Sequence, residues 1–194
     1  LGNQFSPIFN VVGATTAWGL AANTNTNTTP TNVRSSGSIN YSSPSISGFT
    51  IAVQGDGNST NTGYSVTYAA GALTAAYGFN RASAGDQNAV GLAYDLGSAK
   101  LFLSSLSGYI GAKNKSATEV GVSVPFGAAS LVASTSSSNA TGVKTASNVG
   151  VKYDLSKRTQ VYYLNTVNGY KSNTGASALA AGSVTNIIGV QHAF

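Results

Sequence analysis

From Arg34 to the C-terminus the chain repeats one pattern: apolar side chains at every second position through stretches of about ten residues, each closed by a turn or loop. Phe49, Ile51 and Val53 alternate with Thr50, Ala52 and Gln54, and Tyr64, Val66 and Tyr68 alternate with Ser65, Thr67 and Ala69. Leu73, Ala75, Tyr77 and Phe79 continue the pattern. The clearest runs are Val90, Leu92, Tyr94 and Leu96; Val120, Val122, Val124 and Phe126; and Val149, Val151, Tyr153 and Leu155. Period two sends successive side chains to opposite faces of an extended backbone, so each run predicts a strand with one apolar and one polar face. Eleven complete strands are predicted, with the end of a twelfth at Leu1 to Phe5. The strands around Leu101 to Leu106 and Thr159 to Val167 alternate less cleanly, and their facing stays open.

The connections alternate in length. Short ones fall at Ala69 to Gly71, Asp95 to Ser98, Pro125 to Ala128 and Asp154 to Lys157. Longer, polar ones fall at Gly55 to Gly63, Arg81 to Gln87, Gly111 to Thr118, Ser136 to Ala146 and Tyr170 to Gly182. Short turns at one rim and long loops at the other predict an up-and-down antiparallel meander.

Composition decides which face meets what. Charged residues are 8% of the chain, against roughly 25% in a soluble domain, while apolar residues reach 42% and mean hydropathy is +0.05. A soluble sheet solvates its polar face with Lys and Glu; here that face carries Ser, Thr, Gly, Asn and Gln. The apolar face carries Val, Leu and Tyr, with aromatics towards the strand ends. Such a distribution suits lipid outside and water inside, the pattern of a transmembrane β-barrel. The alternative is a soluble sandwich whose apolar face is its core. No stretch is long and apolar enough for a spanning helix, and a long coiled coil is excluded by the scarcity of Glu, Lys and Leu. Cysteine is absent, which removes disulfides and thiolate metal sites. The net charge of +5 is scattered rather than striped, which argues against a nucleic-acid partner. No charged region followed by an apolar one stands at Leu1, so no signal peptide is read in these residues, and the chain reads as a mature or truncated form.

Four segments carry a family resemblance. The end, Ser183 to Phe194, with Ile188, Val190 and Phe194 on one face and His192 among them, resembles the assembly signal of bacterial outer-membrane barrels. Tyr153 to Thr159 followed by Val161, Tyr162 and Tyr163 resembles the penultimate hairpin of the Gram-negative general porin family. Ser38 to Phe49 is similar to that family's mid-barrel turn, and Leu1 to Pro7 to the stretch leading into its long constriction loop. The matches occur in family order over essentially the whole chain. The resemblance implies an all-β, transmembrane, antiparallel up-and-down β-barrel, with about twelve strands of an expected sixteen present and one long inward constriction loop. Residues 1–194 are then a single barrel domain lacking its N-terminal strands, with the loop at residues 6–32. An open edge in lipid leaves backbone groups unpaired at several kcal/mol each, so the expectation is the C-terminal part of a longer porin.

Ser6 to Asn32 is the longest segment without alternation, and segments of this size are usually functional or disordered. By resemblance it narrows the pore, entering at Pro7, with a short helix over Val11 to Ala22 and Trp18 as its anchor; the alternative is an outward surface loop. The family's loop commonly carries carboxylates, and this one has none. Parity places Arg34 and Lys152 on the polar face with Asn40, Gln54 and Asp154, and Lys100 less securely; all three cations are expected to line the pore, or else to sit at its rim. Lys157 and Arg158 are expected at the solvated short-turn rim. Val190, His192 and Phe194 are expected at the membrane interface as the C-terminal assembly signal.

An enzyme is not expected. His192 is the only histidine and faces outward, the five acids are dispersed, and the single carboxylate at Asp56 is too little for a calcium loop. No phosphate-cradling glycine motif opens a helix, and no cofactor is expected. The expectation is an outer-membrane diffusion channel for ions and small hydrophilic solutes with weak anion preference. Its expected partners are the lipid bilayer, lipopolysaccharide, two further copies in a homotrimer and the barrel-assembly machinery. The rival reading is a structural or adhesive extracellular surface protein, with lectin-like binding a further possibility.

Overall fold

The period-two runs become strands, and the strands pair in the order in which they occur. The computed structural model describes residues 2–19, 33–57, 61–82, 85–109, 114–139, 145–168 and 183–192. Strand β1 (Gly2–Phe5) leads into helix α1 (Pro7–Thr15), and eleven strands follow: β2 (Arg34–Ser42), β3 (Phe49–Asp56), β4 (Thr62–Ala70), β5 (Leu73–Ala82), β6 (Gly85–Asp95), β7 (Lys100–Tyr109), β8 (Asn114–Phe126), β9 (Ala129–Ser138), β10 (Ala146–Asp154), β11 (Thr159–Val167) and β12 (Val184–His192). All lie in one antiparallel sheet in sequential order, with β1 and β12 as its two edges. The twelve predicted strands are the twelve observed, and the sheet is open, as befits part of a barrel.

Two short turns show why the meander is tight at one rim. Gly71-Ala72 joins β4 to β5, and Gly127-Ala128 joins β8 to β9. Gly71 and Gly127 have φ of +56° and +64°, the left-handed conformation that lets a two-residue turn match the strands' twist. The other rim differs from expectation. Arg81 to Gln87 and Gly111 to Thr118 read as loops, yet β5 and β6 stay paired out to Ala82 opposite Gly85, and β7 and β8 to Tyr109 opposite Asn114. Past the apolar band both faces are wet, so alternation fades while the backbone ladder continues.

The two faces are inverted relative to a soluble sheet. Val90, Leu92 and Tyr94 of β6, Val120 and Val124 of β8, and Val149 and Tyr153 of β10 are exposed. Their neighbours on the other face, Gln87, Ala89 and Ala93, Glu119, and Asn148, are buried. Exposed large apolar residues run across every strand from β2 to β12, far beyond the patch a soluble monomer leaves open. A continuous surface of this kind is stable against lipid and not against water. Among the described residues no helix is long and apolar enough to cross a membrane; the strands do the crossing.

Candidate functional site

The buried face owes its burial to a segment of the same chain. After β1 the backbone turns onto the sheet's inner face at Ser6, whose N–H donates to the Val33 carbonyl at 3.0 Å and so ties the start of the long connection to its end. Pro7 occupies the first helical turn, where its fixed φ suits the helix and its missing N–H is not needed. The helix therefore starts at Pro7 rather than at the expected Val11. It stops at Thr15, whose hydroxyl donates back to the Val11 carbonyl at 2.8 Å, and Thr16 leaves in extended geometry. The expected continuation through Leu20 to Ala22 lies outside the described residues.

One stripe of α1 is apolar. Ile8, Val11 and Val12 pack with Ala76 of β5, Ala89 of β6 and Leu106 of β7, and Phe9 stacks on Phe5 with ring centroids 4.9 Å apart. The opposite side shows Asn10 and Ala14 and carries no charge. Beyond the helix, Ala17 and Trp18 reach Val132 of β9 and Leu164 of β11, with Phe102, Tyr162 and Ile187 around them. Residues 7–18 thus cross the inner face from β4 to β11. Trp18 is 2% exposed, an anchor as its aromatic bulk suggests.

The three cations take three different positions. Lys152 lies on the inner face of β10, its Nζ donating to the Ala17 carbonyl at 3.0 Å and standing 5.2 Å over the Trp18 ring. Lys100, beside the β6–β7 turn and opposite Asp95, shares the face of Ser104 and Leu106 and lies 5.6 Å from the Phe102 ring. The two lysines therefore flank the Trp18 cluster. Arg34 departs from its expected parity. Gly2 faces Ser38 and Gln4 faces Ser35, so Ser36 and Gly37 together oppose Asn3 as a β-bulge, with Gly37 at φ +65°. The extra residue reverses parity beyond it. Ser35, not Arg34, is the buried side chain: its hydroxyl donates to Gln54 Oε1 at 3.4 Å, and Gln54 Nε2 donates to the Ser38 hydroxyl at 3.2 Å. Arg34 is exposed, its guanidinium 3.5 Å over the Phe5 ring and donating to the Asn3 carbonyl at 3.3 Å.

At the other edge, Val190 and Ile188 are exposed on one face of β12, and His192 follows them, its Nδ1 2.9 Å from the Thr159 hydroxyl. Phe194 lies outside the described residues. Lys157 and Arg158 are exposed in the β10–β11 turn, as expected. Residue counting also missed an inward acid. Glu119, 2% exposed, sits opposite Ser104 and Ser136; the parity that sends Val120 outward sends Glu119 inward, so the signal was present. Asn80, Gln87 and Asn148 join it on the buried polar face. Among the described residues no group of three His, Cys, Asp or Glu side chains is placed to hold a metal ion.

Comparison with known proteins agrees with this geometry. The family model described as Gram-negative porin matches residues 1–176. Among solved structures, the fold is similar to an anion-selective porin from Comamonas acidovorans (TM-score 0.70, 19% identity), spanning 100% of this chain and 73% of that one. It is also similar to engineered variants of the Rhodopseudomonas blastica porin, one at TM-score 0.64 and 18% identity, covering 81% of this chain and 55% of that one. No curated protein sequence is significantly similar. A twelve-stranded inside-out meander with a segment laid across its inner face, matched over most of its length by the porin model, places the chain in the Gram-negative porin family, the β-barrel channels of the bacterial outer membrane.

Proposed function

We propose that the chain forms wall and constriction of a water-filled diffusion channel for ions and small hydrophilic solutes, with weak anion preference. The observation that carries the reading is the segment 7–18 lying across a polar inner face while the opposite face is apolar and exposed. Solutes pass without a bound intermediate; the protein supplies a wet path, a width set by the inward segment and a local charge. Salt at physiological strength screens exposed charges beyond about 8 Å, so charges beside the narrowing dominate. There the inward segment carries no carboxylate, and Lys100 and Lys152 flank it. Glu119 offsets them in part, which keeps the preference weak. Arg34 acts at the root of the helix through Phe5 rather than as an inward wall charge. The anion-selective neighbour supports the sign.

The working unit in this reading is a homotrimer in contact with lipopolysaccharide, inserted by the barrel-assembly machinery through the terminal strand with Val190, His192 and Phe194. No catalytic step and no cofactor belong to the mechanism. Reversal potential in a planar bilayer under a KCl gradient tests the reading. A sign set by anions supports it, cation preference overturns the selectivity, and membrane-inserted protein without conductance steps overturns the channel.

A further inference from the structure

The inward segment does not merely rest on the wall. Inward-facing glycines on β5, β6, β8 and β10 lie, in that order, under residues taken in chain order along the segment. A methyl group at Gly78 of β5 would come within 3.0 Å of Val11 and 3.1 Å of Ile8. One at Gly91 of β6 would overlap the Thr15 side chain, and one at Gly121 of β8 would stand 2.7 Å from the Ala17 methyl. At Gly150 of β10 the added group would overlap the Tyr163 carbonyl of β11 and also stand 2.9 Å from Cη2 of Trp18, so both the neighbouring strand and the segment exclude a side chain there. Two residues further along β10, and on the same face, Lys152 donates to the Ala17 carbonyl and caps the Trp18 ring. The track removes side-chain bulk where the segment passes; Lys152 closes over its far end.

We propose that Lys152 is a positioning residue that latches the inward segment, at Ala17 and Trp18, into a glycine-lined groove formed by Gly78, Gly91, Gly121 and Gly150. The inference rests on the reading of this segment as the pore's narrowing, and it assigns Lys152 a second task beside its charge. A backbone carbonyl and an aromatic face both stabilise an ammonium, and a guanidinium satisfies the same two partners. Lys152→Met removes charge and latch together and Lys152→Arg retains both, so the latch is read by a signal other than ion selectivity.

Trp18 is the sole tryptophan, so its fluorescence reads the seat directly, without any channel activity. The folded chain in detergent micelles, checked for heat-modifiable migration on a gel, is compared with Lys152→Met, Lys152→Arg and the rim control Lys157→Met. Lys152→Met is expected to red-shift the emission and increase acrylamide quenching, with Lys152→Arg and Lys157→Met close to wild type. Gly91→Ala attacks the same seat from its other end, and is expected to increase quenching by lifting Thr15. It covers the case in which Lys152→Met does not fold. Unchanged emission and quenching in folded Lys152→Met, or in folded Gly91→Ala where Lys152→Met fails, overturns the latch. Wild-type conductance is measured on the same preparation: its absence overturns the channel reading and leaves the fluorescence result standing.

Discussion

The inner face of the sheet has two regions built on the same alternation and packed in opposite ways. Under the inward segment, from β5 to β11, the wall offers Ala76, Gly78, Ala89, Gly91, Leu106, Val132 and Leu164 as apolar or side-chain-free contacts. At β2 and β3 the equivalent positions are Ser35, Ser38 and Gln54, joined by hydrogen bonds. Parity makes both regions inward; what covers each one decides its chemistry. A wall position packed under the helix gains most by being apolar or a glycine, since a buried polar atom needs a partner. At β2 and β3 the buried polar groups find that partner in one another. One strand can do both: Leu106 of β7 packs on α1 while Ser104, two residues away, faces Glu119 of β8.

The contrast can be broken from outside first. Val90 lies on the lipid face near the middle of β6, and Val90→Arg is expected to cost about 2–4 kcal/mol, read as a lower urea midpoint or loss of the heat-modifiable band. Asn40→Arg, exposed and on the inner face of β2 opposite Gln54, is expected to be far milder; equal losses would mean that the two faces are misassigned. Within the inner face, Leu106→Ala empties a fully buried site beneath α1 and is expected to destabilise by about 2 kcal/mol, at the low end for such truncations because the helix can settle. Gln54→Ala in the polar region removes one hydrogen-bonded side chain, at about 1 kcal/mol. If Gln54→Ala proved the more costly, the polar network and not the apolar contact would hold the segment. The smallest effect is expected for exposed Arg34→Ala, about 0.5 kcal/mol for the loss of its position over Phe5, measurable as a slight midpoint shift. Cysteine scanning from Ser147 to Tyr153 sharpens the same contrast without a stability readout. Because the chain has no native cysteine, a small hydrophilic reagent should label alternate positions, with Val149 and Val151 protected by lipid or detergent.

Much of this molecule is legible in one dimension. Val149, Val151 and Tyr153 read outward from alternation alone, and twelve strands with alternating turn lengths follow from counting. Alternation is legible because a strand in a membrane wall meets different media on its two faces, and each side chain must match one of them. Where both faces carry polar residues, as at Arg81 to Gln87, the alternation fades and the strand ends look like loop. Glu119 was legible by the same parity and lay unnoticed beside Val120.

The rest belonged to tertiary structure. Arg34's facing depended on a bulge at Ser36 and Gly37, one extra residue that no periodicity announces and that reverses every assignment beyond it. The helix limits were set at one end by Pro7 and at the other by a Thr15 hydroxyl bond. Above all, nothing local distinguishes Gly78, Gly91, Gly121 and Gly150 from glycines that merely turn or thin a strand. Their meaning comes from Val11, Thr15, Ala17 and Trp18, far away along the chain, and at Gly150 also from the Tyr163 carbonyl of β11; the contact between Ala17 and Lys152 spans 135 residues. Periodicity is a property of one strand and its two surroundings. The path of a segment across eight strands is a property of contacts that exist only once the sheet has formed.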